Sequence, residues 1–256
     1  MKRMLVIAVA VLSVCGVGPT QAQSTAAVSV ADLMLKLDKP GQFREASERL
    51  KMAGEPAIKD LLGTAKNKAK PKGQRVGALI LLGEMTRADN GPAKELVSRK
   101  DVMAFLEKTL ASDPDESLRQ AAAIGLSNLG QVGSIPKLKN ALSDKSSKVR
   151  ARAAWALAKL GDKSGKAVAV AVLEDKSPGA QAVALEAIGE IGDKNLIPEL
   201  KKRYGDKNPR TRINAKLAVR AIEAKSLQGE AKIKYFEEAL DDKQVEVSRW
   251  ALNGIA

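Results

Sequence analysis

Histidine is missing from this 256-residue chain, and cysteine occurs once, as Cys15. Those two scarcities remove Cys/His nucleophilic dyads, Ser-His-Asp triads, the common zinc sites and the two-His iron sites. Carboxylate-only chemistry remains possible. Aromatics are almost as rare, with two Trp, two Tyr and three Phe. Binding of nucleic acid by base stacking therefore has little to work with. After residue 18 no long apolar run occurs, so nothing later in the chain is expected to span a bilayer, which takes about 20 such residues.

What the N-terminus does have is Met-Lys-Arg, an uncharged run from Met4 to Gly18, and Thr20-Gln21-Ala22 before Gln23. Together these are the parts of a secretory signal peptide cut after Ala22. The reading divides the chain into a leader, 1–22, and a repeat domain, 23–256, and places the product in the periplasm or outside the cell. Leu12-Ser13-Val14-Cys15 offers a lipobox as the alternative, although Val14 stands where a small residue is expected. With the leader removed, the mature chain has neither thiol chemistry nor disulfides. Lys and Arg number 43 against 30 Asp and Glu, a surplus of 13 that falls only to 11 with the loss of Lys2 and Arg3. Such a surplus favours anionic surfaces and partners.

The dominant pattern is a repeat. Asp113, Asp144, Asp175 and Asp206 follow one another at a spacing of 31. Six residues after each stands Arg119, Arg150, Gln181 or Arg212, and seventeen after each stands Gly130, Gly161, Gly192 or Glu223. Between them, Ala122, Ala153, Ala184 and Ala215 share a register with Leu126, Leu157, Ile188 and Val219 and with Leu129, Leu160, Ile191 and Ile222. Steps of four and three place these positions on one face of a helix. In front of that helix each unit has room for another. In the unit of Asp144, Ser134 is expected to cap a first helix carrying Pro136, Leu138 and Leu142, and the second helix runs from about Lys148 to Leu160, stopped by a left-handed Gly161. Asn195 and Pro198 repeat the start signal, and Pro178 opens a second helix. Neither helix could bury its apolar stripe alone, so the pairs must stack.

An Asp in the loop, an Arg six residues later, a Pro eight residues before the Asp and a small-residue second helix resemble HEAT repeats, and the short period resembles their phycobilisome-lyase-type subgroup. The resemblance is strongest over 101–223. Outside it, Asp38 and Arg44 with Ala57, Ile58, Leu61 and Leu62 look like a first unit. Arg75, Ala78, Leu82 and Met85 look like the second helix of the next, whose Asp gives way to the Lys-rich stretch Lys66–Lys72. Asp242, Val247, Ala251 and Ile255 begin a seventh second helix. The fold this implies is all-α, a right-handed α-α superhelix of about seven stacked pairs. It also implies a structural ladder of Asp113, Arg119, Asp144, Arg150, Asp206 and Arg212 linking adjacent loops, broken once at Gln181.

The same resemblance puts the second helices on the concave side. Exposed positions beside the core face then form the candidate partner-binding stripe: Arg152, Trp155, Lys159, Glu186, Glu190, Asn214 and Leu217. Trp155, flanked at helical spacing by Arg152 and Lys159, reads either as an interface anchor or as filling between Ala-rich helices. Basic residues gather in three loop regions: Lys66 to Arg75, Lys145 to Arg152, and Lys201 to Arg212. These are either solvated turns or an anion-binding edge. The function expected is a non-enzymatic scaffold or adaptor with a protein partner of acidic surface, with no cofactor, no metal and no nucleic acid. A lyase-like or chaperone activity, and binding to an anionic envelope polymer or lipid surface with peripheral membrane contact, are the alternatives. The oligomeric state and the partner's identity are not set by the sequence.

Overall fold

The structure, a computed structural model, describes residues 29–87, 99–240, 242 and 244–255. The leader read at 1–22, with Cys15, lies outside them. Among the described residues there are fourteen α-helices and no strand. In chain order they are α1 (Val30–Met34), α2 (Pro40–Ala53), α3 (Glu55–Lys66), α4 (Lys72–Met85), α5 (Arg99–Ser112), α6 (Glu116–Leu129), α7 (Ile135–Ala141), α8 (Ser147–Lys159), α9 (Lys166–Val172), α10 (Pro178–Ile191), α11 (Ile197–Lys202), α12 (Pro209–Ala224), α13 (Gly229–Leu240) and α14 (Val245–Ile255). None of these is long and apolar enough to cross a membrane.

The helices pack as seven successive pairs, α1 with α2 through α13 with α14, in a right-handed α-solenoid. The even-numbered helices touch one another from α4 through α12 to α14, whereas of the odd-numbered ones α1 meets α3, α5 meets α7, and the rest barely meet. A stack crowded along one row and splayed along the other curves toward the crowded row. The second helices therefore line the concave side. One early assignment changes: Ala57, Ile58 and Leu61 sit on α3, which pairs with α4, and α2 takes the place of second helix after Asp38.

Small residues let that row close up. Ala122, Ala153, Ala184 and Ala215 are fully buried. Leu126, Leu157 and Ile188, at thirteen past each Asp, are buried completely as well, and each stabilises by about 1.5–3 kcal/mol. The tightest approach is between α4 and α6, where a Cβ built on Gly83 would lie 1.9 Å from the Gly125 carbonyl oxygen and one on Gly125 would lie 2.6 Å from the Leu79 oxygen. The buried core forms three clusters along the stack, and Leu142 and Trp155 pack against both the first and the second.

Helix ends follow the sequence signals with two exceptions. Gly130, Gly161 and Gly192 all have positive φ, and beyond Gly161 the Asp162 amide donates to the Leu157 carbonyl at 2.9 Å. Pro136, Pro178 and Pro198 all lie in first turns. Ser134, expected as a cap, accepts no helix amide. It belongs to a 3₁₀ turn, Val132–Ser134, whose carbonyls satisfy the entry to α7, and its hydroxyl is buried without a hydrogen-bond partner. Asn195 likewise lies in a 3₁₀ turn, there capped by Asp193.

Candidate functional site

From the unit of Asp113 onward, the loop between the two helices is built on one device. The carboxylate of Asp113, Asp144, Asp175, Asp206 or Asp242 accepts from the amide two residues on, at 2.8–3.0 Å. The side chain six residues on then donates to the same Asp's carbonyl oxygen: Arg119 and Arg212 at 2.8 Å, Arg150 at 2.9 Å, Gln181 at 2.7 Å, and Ser248 at 3.1 Å. Thus Gln181 and Ser248 break the charge pattern and keep the loop closed.

Links between units are fewer than the ladder expectation. Arg119, 3 % exposed, holds Asp144 with two hydrogen bonds of 2.8 and 2.9 Å, and Arg75 approaches Asp113 at 3.5 Å. Burial works to raise the Asp144 carboxyl. The bonds from Arg119 and the Ser146 amide prevail and hold it below its ordinary range. Arg150 and Arg212 form no such rung: each guanidinium donates to two carbonyls of its own loop. For Arg212 the reason is spacing, because the next loop Asp comes 36 residues after Asp206 instead of 31. That displacement sets Asp242 beside Arg220, at 2.9 Å.

A second set of links was missed, although the sequence signals it. Asp162 and Asp193, again 31 apart, start the loops between units. Each accepts from the amide two residues on, and each pairs with a first-helix lysine, Lys139 at 2.9 Å and Lys166. Hydrogen bonds from Lys139 and from Ser164 bring the Asp162 carboxyl down to about 2. Glu116 joins the next unit the other way, accepting from Ser146 and Lys148 at 2.6 and 2.9 Å.

Five of the seven residues in the candidate stripe converge on the concave side. Trp155 of α8, Glu186 and Glu190 of α10, and Asn214 and Leu217 of α12 line one groove of about 260 Å³ with Trp250 of α14. Helical spacing of 31-residue copies stacked in register brings them together. Arg152 stands at the rim, where its guanidinium lies 5.1 Å from the Trp155 ring centroid and 3.1 Å from the Glu186 carboxylate. Lys159 is exposed one turn further on and does not line the groove. Glu190 pairs with Lys225 at 3.1 Å. The Trp155 indole packs against two core clusters and also lines the groove. Leu185, Gly189, Ala218 and Ala221 complete the floor. Trp250 reaches the groove from the last unit, its ring centroid 4.9 Å from that of Phe236 and tilted by 51°. Beyond it, Tyr235 donates to Glu223 at 2.5 Å; burial and this bond together push its phenol up from the ordinary value. Among the described residues no three carboxylate, thiol or imidazole side chains gather as they would around a metal ion.

Residues 103–179 and 166–256 match the family profile described as HEAT repeats. No curated protein matches the chain. Among solved structures, the complex of CpcE and CpcF of phycocyanin lyase from Nostoc sp. PCC7120 is similar at a TM-score of 0.52 and 21% identity, over 77% of this chain and 75% of that one. A designed armadillo repeat protein in complex with the peptide (KR)4 is similar at 0.42 and 18%, over 75% of this chain and 99% of that one. Human deoxyhypusine hydroxylase in complex with glycerol is similar at 0.39 and 16%, over 76% and 84%. At these identities the likeness is one of fold.

Proposed function

The chain belongs to the HEAT-repeat family, and from that premise we propose that it is a non-enzymatic adaptor of the cell envelope, holding a protein partner in the groove between α8, α10 and α12. The observation that carries this reading is the convergence of Trp155 and Trp250 on one concave cleft built from rigid helices. Aromatic anchors in a preformed recess are what tight interfaces are made from. Arg152 and Lys225 neutralise Glu186 and Glu190, so the floor suits an apolar protrusion of the partner. The surplus of 11 positive charges left after the leader is removed favours acidic surroundings on that partner. Export to the periplasm or beyond is supported by the leader read at Met1–Ala22; the mass of the mature protein, isolated from its native host, should begin at Gln23.

A photo-crosslinking side chain placed at Asn214 tests the groove, with one at Lys137 on the convex α7 as control. Adducts with one envelope protein at the first position and not the second are expected, and they should vanish when Leu217→Asp is added. Equal labelling at both positions would remove the proposal. The fold likeness to phycocyanin lyase favours a second reading, a lyase-like chaperone of a chromophore-bearing protein. Transfer of a chromophore to an acceptor protein by the purified chain would establish that reading in place of the first.

A further inference from the structure

On the loop edge, away from the groove, a concavity of about 390 Å³ lies between the end of α3 and the outer face of α5. Its walls carry Lys66, Lys68, Arg75 and Lys108, with Phe105 and Asp113. Arg75 and Asp113 face each other at 3.5 Å, so their charges offset, and Arg75 also donates to the Ala65 carbonyl at 3.1 Å. The three ammonium groups have no such balance. Lys66 stands 5.4 Å from the Phe105 ring centroid, and Lys66, Lys68 and Lys108 are all exposed with no carboxylate within ion-pair distance among the described residues. The lysines at the neighbouring helix ends differ, since Lys72 is answered by Asp115, Lys139 by Asp162, Lys148 by Glu116 and Lys166 by Asp193, while the exposed loop lysines Lys145 and Lys207 line no such concavity.

We infer that this concavity is a binding site for a multiply charged phosphate group. Converging ammonium groups repel one another, and an anion placed between them turns each repulsion into an attraction. In a partly enclosed recess those terms are several times larger than in open water. Lysine ammonium groups act as compact point charges suited to phosphate, and three of them match a dianion or higher better than one carboxylate. Phe105 supplies an apolar wall for whatever the phosphate is attached to. The cluster draws on two separate elements and a loop, so it exists only in the folded stack. The site stands whether or not the groove takes a partner.

Inorganic pyrophosphate titrated into the full chain at fixed ionic strength, followed by calorimetry, is the direct test. Saturable binding is expected, weakened about tenfold by Lys68→Gln with Lys108→Gln. Removing the same charge elsewhere, by Lys145→Gln with Lys207→Gln, should leave it unchanged. Co-sedimentation with phosphatidylcholine vesicles, with and without phosphatidic acid, tells the source. Capture only by vesicles carrying phosphatidic acid, lost in the first pair of variants, assigns the phosphate to a lipid headgroup; pyrophosphate binding without vesicle capture assigns it to a soluble molecule. Binding of neither probe, or equal loss in both pairs of variants, overturns the site. Preference for a glutamate-rich peptide over both would do the same, by giving the cluster to an acidic chain instead.

Discussion

At the residue scale, Arg119 and Arg150 occupy the same register one unit apart and yet differ in what their loss should do. Arg119 is buried and holds the Asp144 carboxylate by two bonds, so Arg119→Ala strands a charge in a poor solvent. A loss of about 3–5 kcal/mol is expected from denaturant unfolding. Arg150 donates only to backbone carbonyls at the edge of the same stack, and Arg150→Ala should lose under about 2 kcal/mol. Equal losses would mean that Asp144 does not depend on its partner. The inter-unit carboxyls also set a pH response. Asp144 and Glu116 are lowered, and Asp162 is brought to about 2 from an ordinary 3.8. Each group binds its proton less tightly when folded, so its contribution is complete above the unfolded value and disappears as pH falls through the folded one. Thermal midpoints should therefore drop steadily between about pH 4 and pH 2. Lys139→Ala, by freeing Asp162, should make that descent shallower, and an unchanged slope would refute the assignment.

At the scale of the element, helix contacts that sequence patterns do not reveal decide where glycine is needed. Gly83 lies within α4 with no turn to make, and its cost as a helix residue is about 1 kcal/mol against Ala. It is kept in place by the Gly125 backbone, which leaves no room for a methyl. Gly83→Ala should destabilise by about 1–3 kcal/mol despite the better propensity. Gly63 of α3, where a Cβ would meet nothing, is the control, and Gly63→Ala should stabilise by up to about 1 kcal/mol. If both changes stabilise, α4 and α6 are not in backbone contact. Periodicity made α6, α8, α10 and α12 legible because apolar steps of three and four recur with the Asp and Gly punctuation. The first helices were harder to bound, since α7, α9 and α11 span only seven, seven and six residues and borrow a 3₁₀ or hydrogen-bonded turn instead of a side-chain cap. The groove stripe was readable for the same reason as the second helices. The wall formed by Trp250 was not, because Asp242 departs from the 31-residue spacing and only the fold shows how far the last unit swings toward Asn214.

For the whole molecule the issue is how far cooperativity extends along a stack in which each pair touches only its neighbours. Such chains behave as rows of coupled units, and coupling is only as strong as the weakest junction. Here the core divides into a first cluster reaching from Leu33 to Leu157, a second from Ala151 to Ile222, and a small last one around Phe236. Leu142 and Trp155 pack against both of the larger clusters, and of the two the indole is the larger body. If those side chains tie the halves together, amides of α6 and α10 should open in hydrogen exchange with one common free energy in the native chain. Trp155→Ala should uncouple them, so that α10 and α12 exchange earlier while α4 and α6 keep most of their protection. Trp155→Phe retains bulk and should stay nearly cooperative. Uniform loss across all the helices in the alanine variant would instead mean that the backbone row of small residues, and not the indole, transmits stability along the solenoid. The groove would then be free to change its Trp without cost to the fold.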